Sequence, residues 1–338
     1  MRKRIYIAYT GGTIGMEPSD KGYKPSPNLL DKLYDRLSQP VLNALPDFEF
    51  HEYEQLIDSS NITPRNWKQM AADIAARYHE FDGFVIFHGT DTMAYSSSML
   101  SYLLRNVQKP VIFTGSQIPL CEPRTDALDN VVGALTMAAD ERIKEVCLYF
   151  HGRLLRGNRA QKLNALHLDA FDSPNFPRLG QLGIQPHLNE SLLWQSKGHE
   201  KFELHCDAAP YVGVITLFPG ITTTWVERML DQPEQAFILH SYGAGNGPDQ
   251  NTSLLAALES ATQSGKIIIN VSQCTVSTVH NQCYAAGSAL ANAGVIAGLD
   301  ATLEAAFCKL HYLLSSKNNI NNIRPKLLES IAGEVTVG

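Results

Sequence analysis

Ile5-Tyr6-Ile7-Ala8-Tyr9-Thr10-Gly11-Gly12-Thr13-Ile14-Gly15 is the chain's first apolar run and the turn that ends it. The five residues from Ile5 to Tyr9 read as a buried strand. Two adjacent glycines let the backbone turn sharply and be approached closely. Thr13 then sits just past a strand end, where open α/β sheets place their ligands. Threonine also serves as a turn or capping residue. The stretch alone therefore leaves Thr13 between a structural and a reactive role.

Outward from this stretch, the pattern of short apolar run followed by small polar residues recurs. Phe48-Glu49-Phe50-His51-Glu52-Tyr53 alternates and reads as a strand ending near Asp58-Ser59-Ser60. Thr63-Pro64 opens a helix with Trp67, Met70, Ala71, Ile74, Ala75 and Tyr78 on one core-facing stripe. Gly83-Phe84-Val85-Ile86-Phe87 runs into His88-Gly89-Thr90-Asp91-Thr92, and a helix follows with Met99, Tyr102 and Leu103 inward. Pro110-Val111-Ile112-Phe113 ends at Thr114-Gly115-Ser116-Gln117. A helix near 125–139 leads to the strand Val146-Cys147-Leu148-Tyr149-Phe150. Strands alternating with helices mean a parallel sheet covered on both faces. Residues 17–25, with two prolines and a glycine, read as a loop that can fold back over the first strand end.

From about 188 the composition turns polar, and beyond 209 the alternation resumes. Strands are predicted at 211–217, 236–239 and 266–271, with helices from 222, from 252, at 302–314 and at 320–331. The expectation is an α/β protein of two α/β domains. The larger N-terminal domain, 1–188, has a mainly parallel sheet; 189–209 is a linker; the smaller C-terminal domain, 210–338, has a parallel sheet.

Composition removes several function classes. The 338 residues are 44% apolar and 18% charged, which supports a large core. Net charge is −6, and basic residues do not cluster on any predicted helix or tail, so no nucleic-acid partner is expected. No run approaches the length of a membrane span. Met1-Arg2-Lys3-Arg4 imitates the start of a signal peptide, but the apolar run after it stops too soon, so no export signal is expected. Six cysteines without a Cys-x-x-Cys pair read as free thiols. His199, His205, Cys206 and Asp207 lie in the polar linker and are not expected to hold a metal. The glycines at 11, 12 and 15 do not form Gly-x-Gly-x-x-Gly, and a Pro-containing loop follows them. Neither a dinucleotide nor any other cofactor is expected.

A parallel sheet places all its C-terminal strand ends at one edge, so Thr13, Ser59, Ser60, Thr90, Asp91 and Ser116 should share a rim. Such a hydroxyl-rich rim fits a small polar ligand. A hydroxyl nucleophile needs a base and donors for the oxyanion. No Gly-x-Ser-x-Gly elbow is present, and His88 is the only histidine near these clusters, so a Ser-His-Asp triad fits poorly. A threonine served by a tyrosine or a lysine remains. Tyr23 lies in the loop, and Lys162 ends Arg156-Gly157-Asn158-Arg159-Ala160-Gln161-Lys162, just past the strand at 146–150.

Tyr9-Thr10-Gly11-Gly12-Thr13-Ile14-Gly15 and His88-Gly89-Thr90-Asp91-Thr92 also resemble the two signatures of the bacterial-type L-asparaginases, and the likeness covers essentially the whole chain. Without an export signal the chain is most similar to the cytoplasmic type I branch. The resemblance implies that Thr13 attacks the side-chain amide of L-asparagine. The acyl-enzyme is then hydrolysed to L-aspartate and ammonia. Tyr23 would help to move the Thr13 proton. Thr90, Asp91 and Lys162 would form a second group, in which Asp91 also holds the substrate α-amino group. Asp58, Ser59, Ser60 and Gly89 would line the substrate site, with Ser59 on the α-carboxylate and backbone N–H groups near Thr90 and Ser116 as oxyanion donors. The resemblance further implies a homotetramer of intimate dimers, with a neighbouring C-terminal domain completing each site. An activating second asparagine site is expected around His240, Asn246 and Cys274. Ser60 stands where exported relatives carry glutamine, and His240 stands where an arginine is expected before Ser241-Tyr242-Gly243. Glutaminase activity, the amide-hydrolysing subunit of a tRNA amidotransferase and a non-catalytic amino-acid sensor are the alternatives on the same scaffold.

Overall fold

The computed structural model describes residues 2–195, 201–205, 211–280, 285–315 and 320–337. Two compact units divide the chain, Met1–Cys206 and Asp207–Gly338. His199, Cys206 and Asp207 of the linker cluster lie outside the described residues.

Arg4–Gly11 is the first strand of the N-terminal unit, and every residue after Arg4 is buried. It pairs in parallel with Asp47–Ile57 on one side and with Gly83–Phe87 on the other. Val111–Thr114 and Val146–Phe150 continue the parallel run. Arg153–Arg156, Gly180–Leu182 and Pro186–Leu188 then add antiparallel strands, so eight strands form one mixed sheet among the described residues. The inner parallel strands Gly83–Phe87, Val111–Thr114 and Val146–Phe150 are buried throughout because helices cover both faces, whereas the edge strand Asp47–Ile57 alternates. After Arg4–Gly11 the chain goes to the sheet edge; from Gly83–Phe87 it goes the other way. Their C-terminal ends therefore flank a topological switch point, where a crevice opens.

Thr63 caps the helix Pro64–Arg77, with Pro64 at its first position, and Trp67, Met70, Ala71 and Ile74 are buried as the sequence predicts. The stretch expected as a loop after the glycine turn is instead an antiparallel hairpin, Met16–Ser19 with Gly22–Pro25. In a two-stranded ribbon one edge of each strand is unpaired, so Pro18 and Pro25 are tolerated there. Within the expected linker, Glu190–Leu192 forms a one-turn helix. Glu203–Leu204 pairs with Leu104–Arg105, and Phe202 stacks on Tyr78 at 3.8 Å between ring centres.

Among the described residues of the C-terminal unit, four parallel strands run in the order Val212–Thr216, Ala236–Ser241, Ile267–Ser272 and Ile296–Ala297. Their period of two splits the core. Phe237, Leu239 and Ile268 pack towards the helices Thr223–Leu230 and Thr252–Gln263. Ile238, Ile267 and Ile269 pack towards Leu303–Ser315 and Ile320–Leu328. Lys309 and Glu334 meet at 2.7 Å with almost no exposure, and Lys309 also donates to the carbonyl of Leu327. No described helix is long and apolar enough to cross a membrane.

Candidate active site

The strand Arg4–Gly11 ends in Gly11 and Gly12, both with positive φ, and Thr13 opens the one-turn helix Thr13–Gly15. A Cβ on Gly12 would lie 2.3 Å from the Gly89 nitrogen, so the two backbones touch. A Cβ on Gly89 would lie 2.5 Å from Ser59 Oγ. Only glycine allows this approach. Three strand ends thus converge: the turn bearing Thr13, the loop bearing Thr90 and Asp91, and the turn bearing Ser59. Thr13 is half-buried at this meeting point. Thr10 has a purely internal role, its hydroxyl donating to the Phe87 carbonyl at 2.8 Å.

Lys162 reaches the same rim from the short strand Gln161–Lys162. Its Nζ donates to Thr90 Oγ1 and to Asp91 Oδ1, each at 2.7 Å. Thr90 is buried, whereas the Asp91 side chain is 62% exposed and open to a ligand. Thr90 Oγ1 accepts from the ammonium and keeps its own hydrogen to give elsewhere. Ser59 is buried and accepts from the Asp91 N–H at 3.3 Å, which also leaves its hydroxyl hydrogen free to donate. Thr92 Oγ1 donates to the Ser59 carbonyl at 2.7 Å and locks the two turns together. Asp58 accepts from the Ser60 N–H, and Ser60 itself is exposed. Ser116 is fully buried with a hydroxyl that has no partner among the described residues.

Tyr23 is placed differently. It sits on the Gly22–Pro25 strand, half exposed, and its phenol donates to Glu122. The Glu122 carboxylate raises the Tyr23 pKa above its ordinary value. Glu122 was not legible as a site residue, since no strand end or motif marks it. Behind the rim, His88 is buried and bonded to Gly89 O and to Ser96, and burial holds its pKa at about 4. It is therefore a neutral structural group at ordinary pH. The four serines of the buried helix Met93–Leu103 carried a signal that an apolar-stripe reading of that helix passes over.

In the C-terminal unit, His240 Nε2 and the Ser272 carbonyl are 3.0 Å apart, and the Cys274 N–H donates to Ser272 Oγ at 2.9 Å. Burial lowers the His240 pKa. Asn246 closes a turn on Tyr242 through two backbone bonds, and its side-chain oxygen is buried without a partner among the described residues. The structure thus brings His240 and Cys274 together around Ser272. Asn246 is joined to neither by a hydrogen bond among the described residues.

Two family models match the chain: "Asparaginase, N-terminal" over residues 4–194 and "Glutaminase/Asparaginase C-terminal domain" over residues 211–326. The chain is 47% identical over 337 residues to L-asparaginase 1 of Escherichia coli K12, covering 99% of this chain and 98% of that protein. The crystal structure of L-asparaginase I from Vibrio cholerae superposes with a TM-score of 0.91 at 45% identity, covering 100% of both chains. The thermostable L-asparaginase from Thermococcus kodakarensis superposes with a TM-score of 0.89 at 28% identity, covering 99% of this chain and 100% of that one.

Proposed function

The chain belongs to the asparaginase family, and we propose that it hydrolyses the side-chain amide of L-asparagine to L-aspartate and ammonia with Thr13 as nucleophile. The observation that carries this reading is Lys162 Nζ held at 2.7 Å from both Thr90 Oγ1 and Asp91 Oδ1, on a loop in backbone contact with the Thr13 turn. A hydroxyl, a proton-carrying pair and a carboxylate then share one crevice.

Thr13 Oγ adds to the amide carbon and gives up its proton. Backbone N–H groups near Thr90 and Ser116 hold the oxyanion, an effect worth about 10²–10³ in rate per donor. The C–N bond breaks, ammonia leaves with the transferred proton, and an ester on Thr13 remains. Water then adds to that ester, with Thr90 and Lys162 taking and returning its proton. The ester C–O bond breaks, Thr13 regains its hydrogen, and aspartate is released. Ser59 donates to the substrate α-carboxylate, and exposed Asp91 takes the α-amino group. Asp58, Ser60 and Gly89 shape the same pocket. Tyr23 moves the Thr13 proton once the hairpin releases Glu122 and closes.

Thr13→Ala is expected to fold and bind aspartate while releasing no ammonia; near-wild-type release would sink the assignment. Ammonia assays with asparagine and with glutamine separate a strict asparaginase from a broader asparaginase/glutaminase. A pocket that binds aspartate without turnover would mark a sensor. The same reading places the protein in the cytoplasm as a homotetramer, which light scattering tests. It also includes an activating asparagine site at His240, Asn246 and Cys274. A hyperbolic plot of rate against asparagine at all enzyme concentrations counts against that site.

A further inference from the structure

The helix Met93–Leu103 is buried along its length, yet it carries Ser96, Ser97, Ser98 and Ser101. Serine is a poor helix former, and a buried hydroxyl is costly unless bonded. All four are bonded, and they face two different loops. Ser96 Oγ lies 2.9 Å from His88 Nε2 and accepts from Trp67 Nε1 at 2.9 Å. The Gly89 carbonyl can only accept, so the neutral His88 ring keeps its one hydrogen on Nδ1 and its bare Nε2 accepts the Ser96 hydrogen. His88 Nδ1 donates to the Gly89 carbonyl at 2.7 Å. This chain fixes the turn that bears Thr90 and Asp91.

The next residue reaches the other loop. Ser97 Oγ donates to the Gly157 carbonyl at 2.9 Å, and Ser98 Oγ donates to the same atom at 3.3 Å. Asn158 Nδ2 donates to Ser101 Oγ at 3.0 Å. A Cβ on Gly157 would lie 3.1 Å from Ser97 Cβ, so this loop rests directly on the helix. Five residues on, it delivers Lys162.

We propose that Ser96 and Ser97 are positioning residues, clamping the Thr90–Asp91 turn and the Lys162 loop to one rigid helix and so setting the Lys162–Thr90 contact. Both are fully buried. Geometry held by a buried helix is more reproducible than geometry left to loops. The proposal rests on Thr90 and Lys162 acting as a catalytic pair. That reading fails separately, if Lys162→Met releases ammonia at the wild-type rate.

The test is steady-state kinetics with thermal melting. Ser97→Ala is expected to lower kcat about 10–100-fold while KM for asparagine stays within about twofold, because a displacement near 1 Å costs that much in rate. Ser96→Ala, acting on the other loop, gives the same split. Ser97→Cys keeps a weak donor and falls between Ala and wild type. Tyr6→Phe is the control. It removes a hydroxyl bond to Asp73 near the start of the first strand, and it should lower the melting temperature without moving kcat. An unchanged kcat in Ser97→Ala overturns the proposal, as does an equal loss of kcat in Tyr6→Phe. Should Ser97→Ala fail to fold, Ser97→Cys decides: reduced kcat at constant KM supports the clamp, and wild-type kcat overturns it.

Discussion

The strand Gly83–Phe87 in one unit and the strand Ala236–Ser241 in the other are built alike. Each is buried, each lies between two parallel neighbours, and each runs into small polar residues. After the first, Thr90 and Asp91 meet the amine of Lys162, and Asp91 stays open to solvent. After the second, the polar groups close on one another. Ser241 donates to Asn270, Asn270 donates to the Gly245 carbonyl, and Ser272 donates to the Gly243 carbonyl. Tyr242 and Asn246 exchange backbone hydrogen bonds across the turn. Strand ends of parallel sheets are therefore places where a site can form. The proposed chemistry falls at the strand end whose titratable and hydroxyl groups are not consumed by the turn itself.

Four measurements would break or sharpen this contrast. The largest effect is expected from Lys162→Met, which should lower kcat by about 10²–10⁴. The same change should shift stability by no more than about 1 kcal/mol, because the partner carboxylate is exposed. An ammonia assay beside urea unfolding checks both, and unfolding of the variant would erase the contrast. Lys309→Met in the C-terminal unit should do the reverse. It leaves Glu334 buried and charged without its partner, costing about 3–5 kcal/mol, while the rate per folded molecule is retained.

Acid pH should act on both units. Burial holds His88 and His311 at about 4, below the ordinary 6.5. Between those values the unfolded chain takes up protons that the folded chain refuses. Stability is thus complete above about pH 6.5 and falls as the pH drops towards 4, by on the order of 3 kcal/mol for fully buried His88. Glu334, which burial pushes up but Lys309 and two backbone N–H groups hold below the usual carboxylate range, adds a further loss at still lower pH. Urea unfolding at pH 7, 5.5 and 4.5 reads the slope; constant stability across this range contradicts it. The smallest effect is expected from Gly265→Ala. Gly265 has φ +97 and open space around it, so the substitution costs about 1–2 kcal/mol of backbone strain and leaves activity alone. Gly12→Ala has a similar φ but drives its Cβ into the Gly89 backbone, so it must cost more and remove activity. Equal effects from the two glycines would mean that the close approach is not needed.

Much of the site was legible because local signals carried it. An apolar run ending in Gly11-Gly12 marked the first strand end, and the strand at Gly83–Phe87 marked the second. The hairpin at 16–25 was not legible, because its prolines and charges read as a loop until pairing partners are known. Tyr23 was read as the residue that helps to move the Thr13 proton; the bond its phenol makes, to Glu122 across 99 positions, is one that no local pattern encodes. The buried serines of Met93–Leu103 were visible as letters. Their partners, His88 and Gly157, arrive from different loops.

By itself, then, the sequence determined the alternation of strands and helices, the glycine turn at Thr13 and the polar clusters on the strand ends. These depend on periodicity and on the backbone freedom of single residues. Tertiary structure alone decided the strand order that puts Arg4–Gly11 beside Gly83–Phe87, and hence the crevice at the switch point. It alone decided the 2.7 Å contact of Lys162 with Thr90 and the sealing of the turn after Ala236–Ser241. The physical reason is that hydrogen bonds between distant residues, 72 positions apart for Lys162 and Thr90 and 29 for Ser241 and Asn270, depend on how whole elements pack. No local stretch of chain contains that information.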